Sequence, residues 1–87
     1  MIMRFDEAIQ QAKLVLHELT GLDISSVVGA EKEDEGWLVG VEVVEKRSIP
    51  DSMDILALYE TRLDEDGNMR EFKRLRMRKR IDTETEE

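Results

Sequence analysis

Apolar residues recur at spacings of three and four over Phe5, Ala8, Ile9, Ala12, Val15, Leu16 and Leu19. That period predicts a helix from about Arg4 to Thr20 with one apolar stripe. Asp6 and Glu7 suit the positive end of its dipole, and Gly21 is a natural left-handed stop. A single apolar face means the helix lies on one surface of something flat. Beyond Gly21 the period changes to two. Leu22 to Lys32 carries Ile24, Val27, Val28 and Ala30 and reads as a first strand, imperfectly alternating, with a turn at Glu33–Gly36. Trp37 to Glu45 alternates cleanly. Trp37, Val39, Val41 and Val43 point one way, toward the helix, and Leu38, Gly40, Glu42 and Val44 point the other. Gly40 in the strand interior marks a bulge or a close backbone approach.

Lys46 to Met53 is a connection in which Pro50 ends the strand pairing. Asp54 to Leu63 resumes as a strand, with Ile55, Ala57, Tyr59 and Thr61 on one side and Leu56, Leu58, Glu60 and Arg62 on the other. Asp64 to Asn68 is a hairpin turn, because Gly67 and Asn68 accept positive φ cheaply. Met69 to Ile81 is the last strand. Leu75, Met77 and Ile81 are expected on one face, with Phe72 out of phase and a bulge near Lys73. The fold class is therefore α+β, one N-terminal helix packed across a four-stranded antiparallel meander sheet. Residues 1–81 read as one domain and 82–87 as a disordered acidic tail. The second sheet face mixes Leu38, Val44, Leu56 and Leu58 with Glu42, Glu60 and Arg62. That is too apolar for a freely solvated face, so a covering layer is expected, for example a second copy of the chain.

Composition narrows the function classes. The 87 residues contain no cysteine, so disulfides and thiolate chemistry are excluded. No apolar run is long enough to span a bilayer, and the opening MIMRFDEAIQQ lacks the apolar core of a secretory signal, so a cytoplasmic location is expected. The net charge of −8 hides a separation of sign. Arg70 to Arg80 carries seven basic residues against Glu71, a net +6, which leaves −14 for the remainder.

No residue set looks equipped for bond-making chemistry. His17 is the lone histidine, and Lys13 and Gly21 at i−4 and i+4 give it no metal-binding partner. Glu42, Glu45, Asp54 and Glu60 could cluster across strands, but bases are plentiful, and cross-strand ion pairs with Arg62 or Arg74 are expected instead of a catalytic pair. Asp64–Gly67 lacks an acid at the twelfth position of a calcium loop, where Leu75 stands. No cofactor is expected. The sharpest functional feature is the basic strand. Arg70, Arg74, Arg76, Arg78 and Arg80 occupy alternate positions, predicting a charge ladder on one face. Such a ladder serves a nucleic-acid or acidic-protein surface, or protects an edge strand from aggregation. Only Phe72 offers a stacking ring, and the overall charge opposes nucleic acid, which is disfavoured.

The ordered series Gly36-Trp37, Val39, Val41-Glu42-Val43-Val44-Glu45, Ile49-Pro50, Asp54-Ile55-Leu56-Ala57, Tyr59-Glu60, Leu63-Asp64 and Gly67 resembles the gas vesicle protein O family. The helix ending in Leu19-Thr20-Gly21 fits as well, so the resemblance runs from about Phe5 to Arg80. It departs in the last strand, where the family is expected to carry more aromatic residues among its arginines. The resemblance implies a non-enzymatic cytoplasmic accessory protein of gas vesicle assembly. Its implied partners are gas vesicle shell and accessory proteins. It marks Trp37, Glu42, Glu45, Pro50, Asp54, Tyr59, Glu60 and Gly67 as motif positions. From the residues themselves, the candidate partner-binding set is Arg70, Arg74, Arg76, Arg78, Leu38, Leu56 and Leu58, with a homodimer over the open face that Leu56→Lys or Leu58→Lys would split. The alternatives are a nucleic-acid-binding regulator using Arg70–Arg80, and a helix-on-sheet binding or inhibitory module of the kind appended to peptidases.

Overall fold

A computed structural model describes residues 3–81; the acidic segment 82–87 lies outside the described residues. Helix α1 (Phe5–Thr20) is followed by β1 (Asp23–Glu33), β2 (Gly36–Lys46), a short 3-10 turn (Asp51–Met53), β3 (Ile55–Asp64) and β4 (Met69–Lys79). The strands form one antiparallel sheet in the order β1-β2-β3-β4, with α1 across one face.

Local chemistry sets the helix ends. The Glu7 carboxylate accepts the backbone N–H of Arg4 at 2.8 Å, satisfying a donor that the first turn leaves orphaned. At the far end Gly21 has φ 75°, and its N–H donates to the carbonyl of His17 at 2.8 Å. The apolar stripe is narrower than its sequence spacing implies. Ala8, Ala12 and Leu16 are fully buried, whereas Phe5 and Leu19 at the ends are exposed. Small residues at the two central positions let the helix backbone approach the sheet closely.

The core lies between that stripe and Trp37, Val39, Val41, Val43, Ala57 and Leu63. Phe5 meets Trp37 edge to face, with ring centroids 5.9 Å apart, a geometry favoured by the ring quadrupoles. Thr61 is buried among these residues, and its hydroxyl donates to the carbonyl of Val39 at 2.9 Å. The helix is tied to the β3–β4 turn by Gln11, whose side-chain amide donates to the carbonyl of Gly67 at 3.0 Å. Gly67 has φ 89°, as that turn requires.

Bulges decide the remainder. In β1, Ser25 and Val28 have no opposite number, which explains its imperfect alternation. In β4 the extra residues are Arg70 and Leu75, not a residue near Lys73. Each extra residue shifts side-chain parity. Met77 pairs with Ala57 on the helix side, while Arg76 pairs with Leu58 on the open side. Leu75 also lies on the open side, beside Leu58. The expectation that Leu75 and Met77 share a face therefore fails, and Phe72, opposite Thr61, is on the helix side.

Candidate functional site

The same bulge breaks the expected arginine ladder. Arg74 pairs with Tyr59 on the helix side, Arg76 and Arg78 stand opposite Leu58 and Leu56 on the open side, and Arg80 lies beyond the strand. Most of these arginines are also occupied. Arg70 is 3.8 Å from Asp64, Arg74 is 3.8 Å from Glu45, and Arg80 is 3.2 Å from Asp54. Arg78 forms a fork with Glu42, Nε to Oε2 and Nη2 to Oε1, both at 2.9 Å. Arg76 has no ion pair or hydrogen bond among the described residues.

The Arg78–Glu42 pair has a geometry that local patterning does not reveal. Arg78 is on β4 and Glu42 on β2, so the pair spans β3, passing between Leu56 and Leu58. It is a strap across the open face. Leu56, at 1% exposed, is buried by its own chain, and Val44 and Glu42 beside it are buried too. Leu56 therefore leaves the set of surface candidates, while Leu38 and Leu58 stay half-buried on the open face. A second strap joins Arg62 on β3 to Glu33 on β1, across β2, and Arg62 also reaches Glu71 at 3.5 Å. Between the straps runs an apolar groove lined by Val28, Leu38, Gly40, Leu58 and Leu75. The sequence reading missed Val28 and Leu75. Val27 packs on the helix side and Val28 on the open side, and the bulge at Val28 brings it onto the same face as Gly40. A Cβ on Gly40 would come within 2.8 Å of the Val28 side chain, so Gly40 makes room for it.

The four carboxylates weighed as a catalytic cluster do not converge. Glu42, Glu45, Asp54 and Glu60 face Arg78, Arg74, Arg80 and Lys73 respectively. No group of three or more His, Asp or Glu side chains among the described residues could hold a metal ion. The exposed His17 has its Nδ1 2.8 Å from the carbonyl of Leu22. The buried indole N–H of Trp37 and Oε1 of Glu45 have no hydrogen-bond partner among the described residues.

Asp54 anchors the end of the sheet. Its carboxylate accepts the backbone N–H of Ser48 at 2.7 Å and the Arg80 guanidinium at 3.2 Å, closing the connection that contains the cis Ile49–Pro50 peptide. The Ser48 amide holds this carboxyl below the ordinary 3.8, against the opposing effect of burial, with Arg80 adding to the depression. Asp64, which accepts the N–H groups of Asn68 and Asp66 at 2.9 Å, is lowered chiefly by the Asn68 amide. A carboxyl depressed in the folded state contributes stability that is complete above its unfolded value and is lost as pH falls through the folded value. The melting temperature is therefore expected to be flat near neutrality and to fall as pH drops below about 4. Asp54→Asn should make that fall shallower in a calorimetric pH series. An unchanged slope would show that Asp54 is not among the groups responsible.

On the helix side, α1 packs mainly against β1 and β2 and reaches β4 least. A strip of β4 is left open there. Phe72 is 39% exposed, with its ring 6.2 Å from that of Tyr59, and Met77 and Arg74 continue the strip. No helix among the described residues is long and apolar enough to cross a membrane.

Comparison with known proteins places this arrangement. The family model for "Gas vesicle synthesis protein GvpO" matches residues 2–84. Gas vesicle protein O of Streptomyces sp. (strain CB03234) is 43% identical over 61 residues, covering 70% of this chain and 48% of the relative. Gas vesicle protein O1 of Halobacterium salinarum is 37% identical over 83 residues, covering 95% of this chain and 64% of the relative. Gas vesicle protein O of Haloferax mediterranei is 30% identical over 81 residues, 92% of this chain and 58% of the relative. The chain thus spans about half to two-thirds of the length of these relatives. No solved structure matches it. On the match across nearly its whole length, the chain belongs to the gas vesicle synthesis protein GvpO family.

Proposed function

We propose that this chain is a non-enzymatic accessory factor of gas vesicle assembly that acts by binding shell or other accessory proteins, working in the cytoplasm and at the growing vesicle. Family membership supplies the process. The observation that supports binding is β4. It is an outer strand of the sheet, nearly all of its side chains are exposed, and its helix-side strip joins an aromatic ring and a thioether to a guanidinium at Phe72, Met77 and Arg74. Aromatic residues, methionine and arginine are the side chains enriched at protein interfaces. The separated charge adds direction, since a basic strand on an acidic chain selects acidic partners. The nucleic-acid reading loses its main support because the arginines are split between the two faces and all but Arg76 are paired with carboxylates.

A gas vesicle gene cluster expressed without this chain should fail to give buoyant, pressure-collapsible light scattering, and the chain supplied in trans should restore it. Phe72→Ala combined with Arg74→Glu should fold normally and fail to restore it. Full restoration by that variant would remove the strip from the proposal, and normal vesicles without the chain would remove the assembly role.

A further inference from the structure

A second groove lies beside the helix, between the outward flank of α1 and the β3–β4 turn. Met3 and Leu14 give it apolar surface, and Glu7, Glu65 and Asp66 give it an acidic rim. Its volume of about 430 Å³ falls within the range of about 300–1,000 Å³ usual for binding clefts. Leu14 is a residue the fold does not account for. It stands outside the buried stripe of Ala8, Ala12 and Leu16, is 54% exposed, and takes no part in the core. Both walls are fixed in advance. Gln11 holds the turn to the helix through the carbonyl of Gly67 at 3.0 Å. Asp64 holds the turn from within, accepting the N–H groups of Asp66 and Asn68 at 2.9 Å. Gly67 leaves room for Met3, since a Cβ there would come within 3.2 Å of the Met3 sulfur. A site held in this way loses little conformational freedom when it is filled.

The rim carries charge that the fold does not neutralise. On the strands, Glu33, Glu42, Glu45, Asp54 and Glu60 are each matched by a cationic side chain. At the rim, Glu7 and Asp66 have no ion pair among the described residues, and Glu7 uses one carboxylate oxygen on the Arg4 N–H. Glu65 has Lys32 at 3.9 Å, but that ammonium group also donates to the carbonyl of Glu33 and lies 5.7 Å from the centroid of the Trp37 ring.

We propose that this groove docks a basic segment of a partner protein, with an apolar side chain of the segment against Leu14 and Met3 and a lysine or arginine beside Glu65 and Asp66. Charge complementarity selects the sign, because three carboxylates share the rim and the one cation paired with any of them is engaged elsewhere. The apolar surface selects a polypeptide over a free cation, since a bare amine would leave Leu14 and Met3 in water. Lysine and arginine suit the edge of such a groove, because their methylene stems lie along apolar surface while the charged head reaches the carboxylates. Docking here rests on the reading of the chain as a binding factor and gives that factor a second surface, opposite in sign to β4. With both, the chain can bridge an acidic and a basic partner.

NMR titration of the isotope-labelled chain with a synthetic peptide that carries leucines and lysines at helical spacing tests this, with circular dichroism as the check on folding. The amides of Leu14, Glu65 and Asp66 should shift most, and those of Val28, Leu58 and Leu75 on the open face should not. Glu65→Gln with Asp66→Asn should weaken binding about fivefold or more. Glu31→Gln with Glu35→Gln removes the same charge from exposed positions outside the groove and should change binding by less than about twofold, as expected of screened charges at a distance. Leu14→Gln, at an exposed helix position, should weaken binding about fivefold or more, and a peptide with serine for each leucine should bind about tenfold more weakly. No binding at millimolar peptide would overturn the proposal. So would shifts centred on the open face, equal losses from the two neutralised pairs, or a serine-and-lysine peptide that binds as well as the first. The readout is peptide binding at one groove, so it stands or falls separately from vesicle formation.

Discussion

Gly36→Ala is expected to cost at least about 3 kcal/mol, the upper range for forcing extra volume into a packed site. Gly36 opens β2 directly after the β1–β2 turn and is paired on both sides, with Glu33 and with Asp64. A Cβ built there would lie 1.8 Å from the carbonyl oxygen of Leu63 and 2.9 Å from the Cα of Asp64. Both obstacles are backbone, so no side-chain rotation relieves them. Relief requires β2 and β3 to part where Trp37 and Leu63 close the core. For a domain of this size the loss corresponds to a fall in melting temperature of about 15 °C. Gly29→Ala is the control. An added Cβ there meets nothing within 4 Å, so its effect should stay within about 0.5 kcal/mol. Calorimetry on the two variants settles the matter, and equal melting temperatures would mean that close backbone approach is not the reason for glycine at position 36.

Whatever depends on local periodicity was legible in the sequence. The helix stripe, the clean alternation of β2, the left-handed stop at Gly21 and the turn at Gly67 each follow from residue type and spacing, and together they define the meander under one helix. Whatever depends on parity after a bulge was not legible. Nothing in the residue types around Leu75 says which residue loses its partner, yet that one insertion moves Arg74 and Arg76 to opposite faces and dismantles the arginine ladder. Long-range charge choice was hidden for a similar reason. Composition showed that bases were available for Glu42, Glu45, Asp54 and Glu60, but partnership is set by strand register. Arg78 and Glu42 are 36 residues apart and sit on strands that do not pair with each other. Leu56 is buried for that reason, although its own strand pattern marks it as open-face.

Arg78→Ala is expected to destabilise the fold by about 3 kcal/mol, the low end of the cost of breaking a buried ion pair by removing one partner. Glu42 is 7% exposed, and the variant would strip its carboxylate of a two-point charge-assisted contact while uncovering Leu56. A surface pair would cost under about 1 kcal/mol, so the magnitude distinguishes a strap from decoration. Replacing both members with apolar residues, Glu42→Leu with Arg78→Met, should return stability to within about 1 kcal/mol of the original, because neither charge then remains buried and the strip over β3 stays covered. Urea denaturation of the two singles and the double forms the cycle. A single variant costing no more than an ordinary surface change would refute the strap, as would a double variant as unstable as the singles. The outcome bears on function. Arg78 stands in the basic strand that sequence alone offers as a partner surface, and its loss would abolish vesicle formation through unfolding even if no partner ever touched it. Arg76, which is exposed and carries no structural pair among the described residues, and the Phe72–Arg74 strip can report on recognition without that confusion, provided each variant is compared at equal amounts of folded chain.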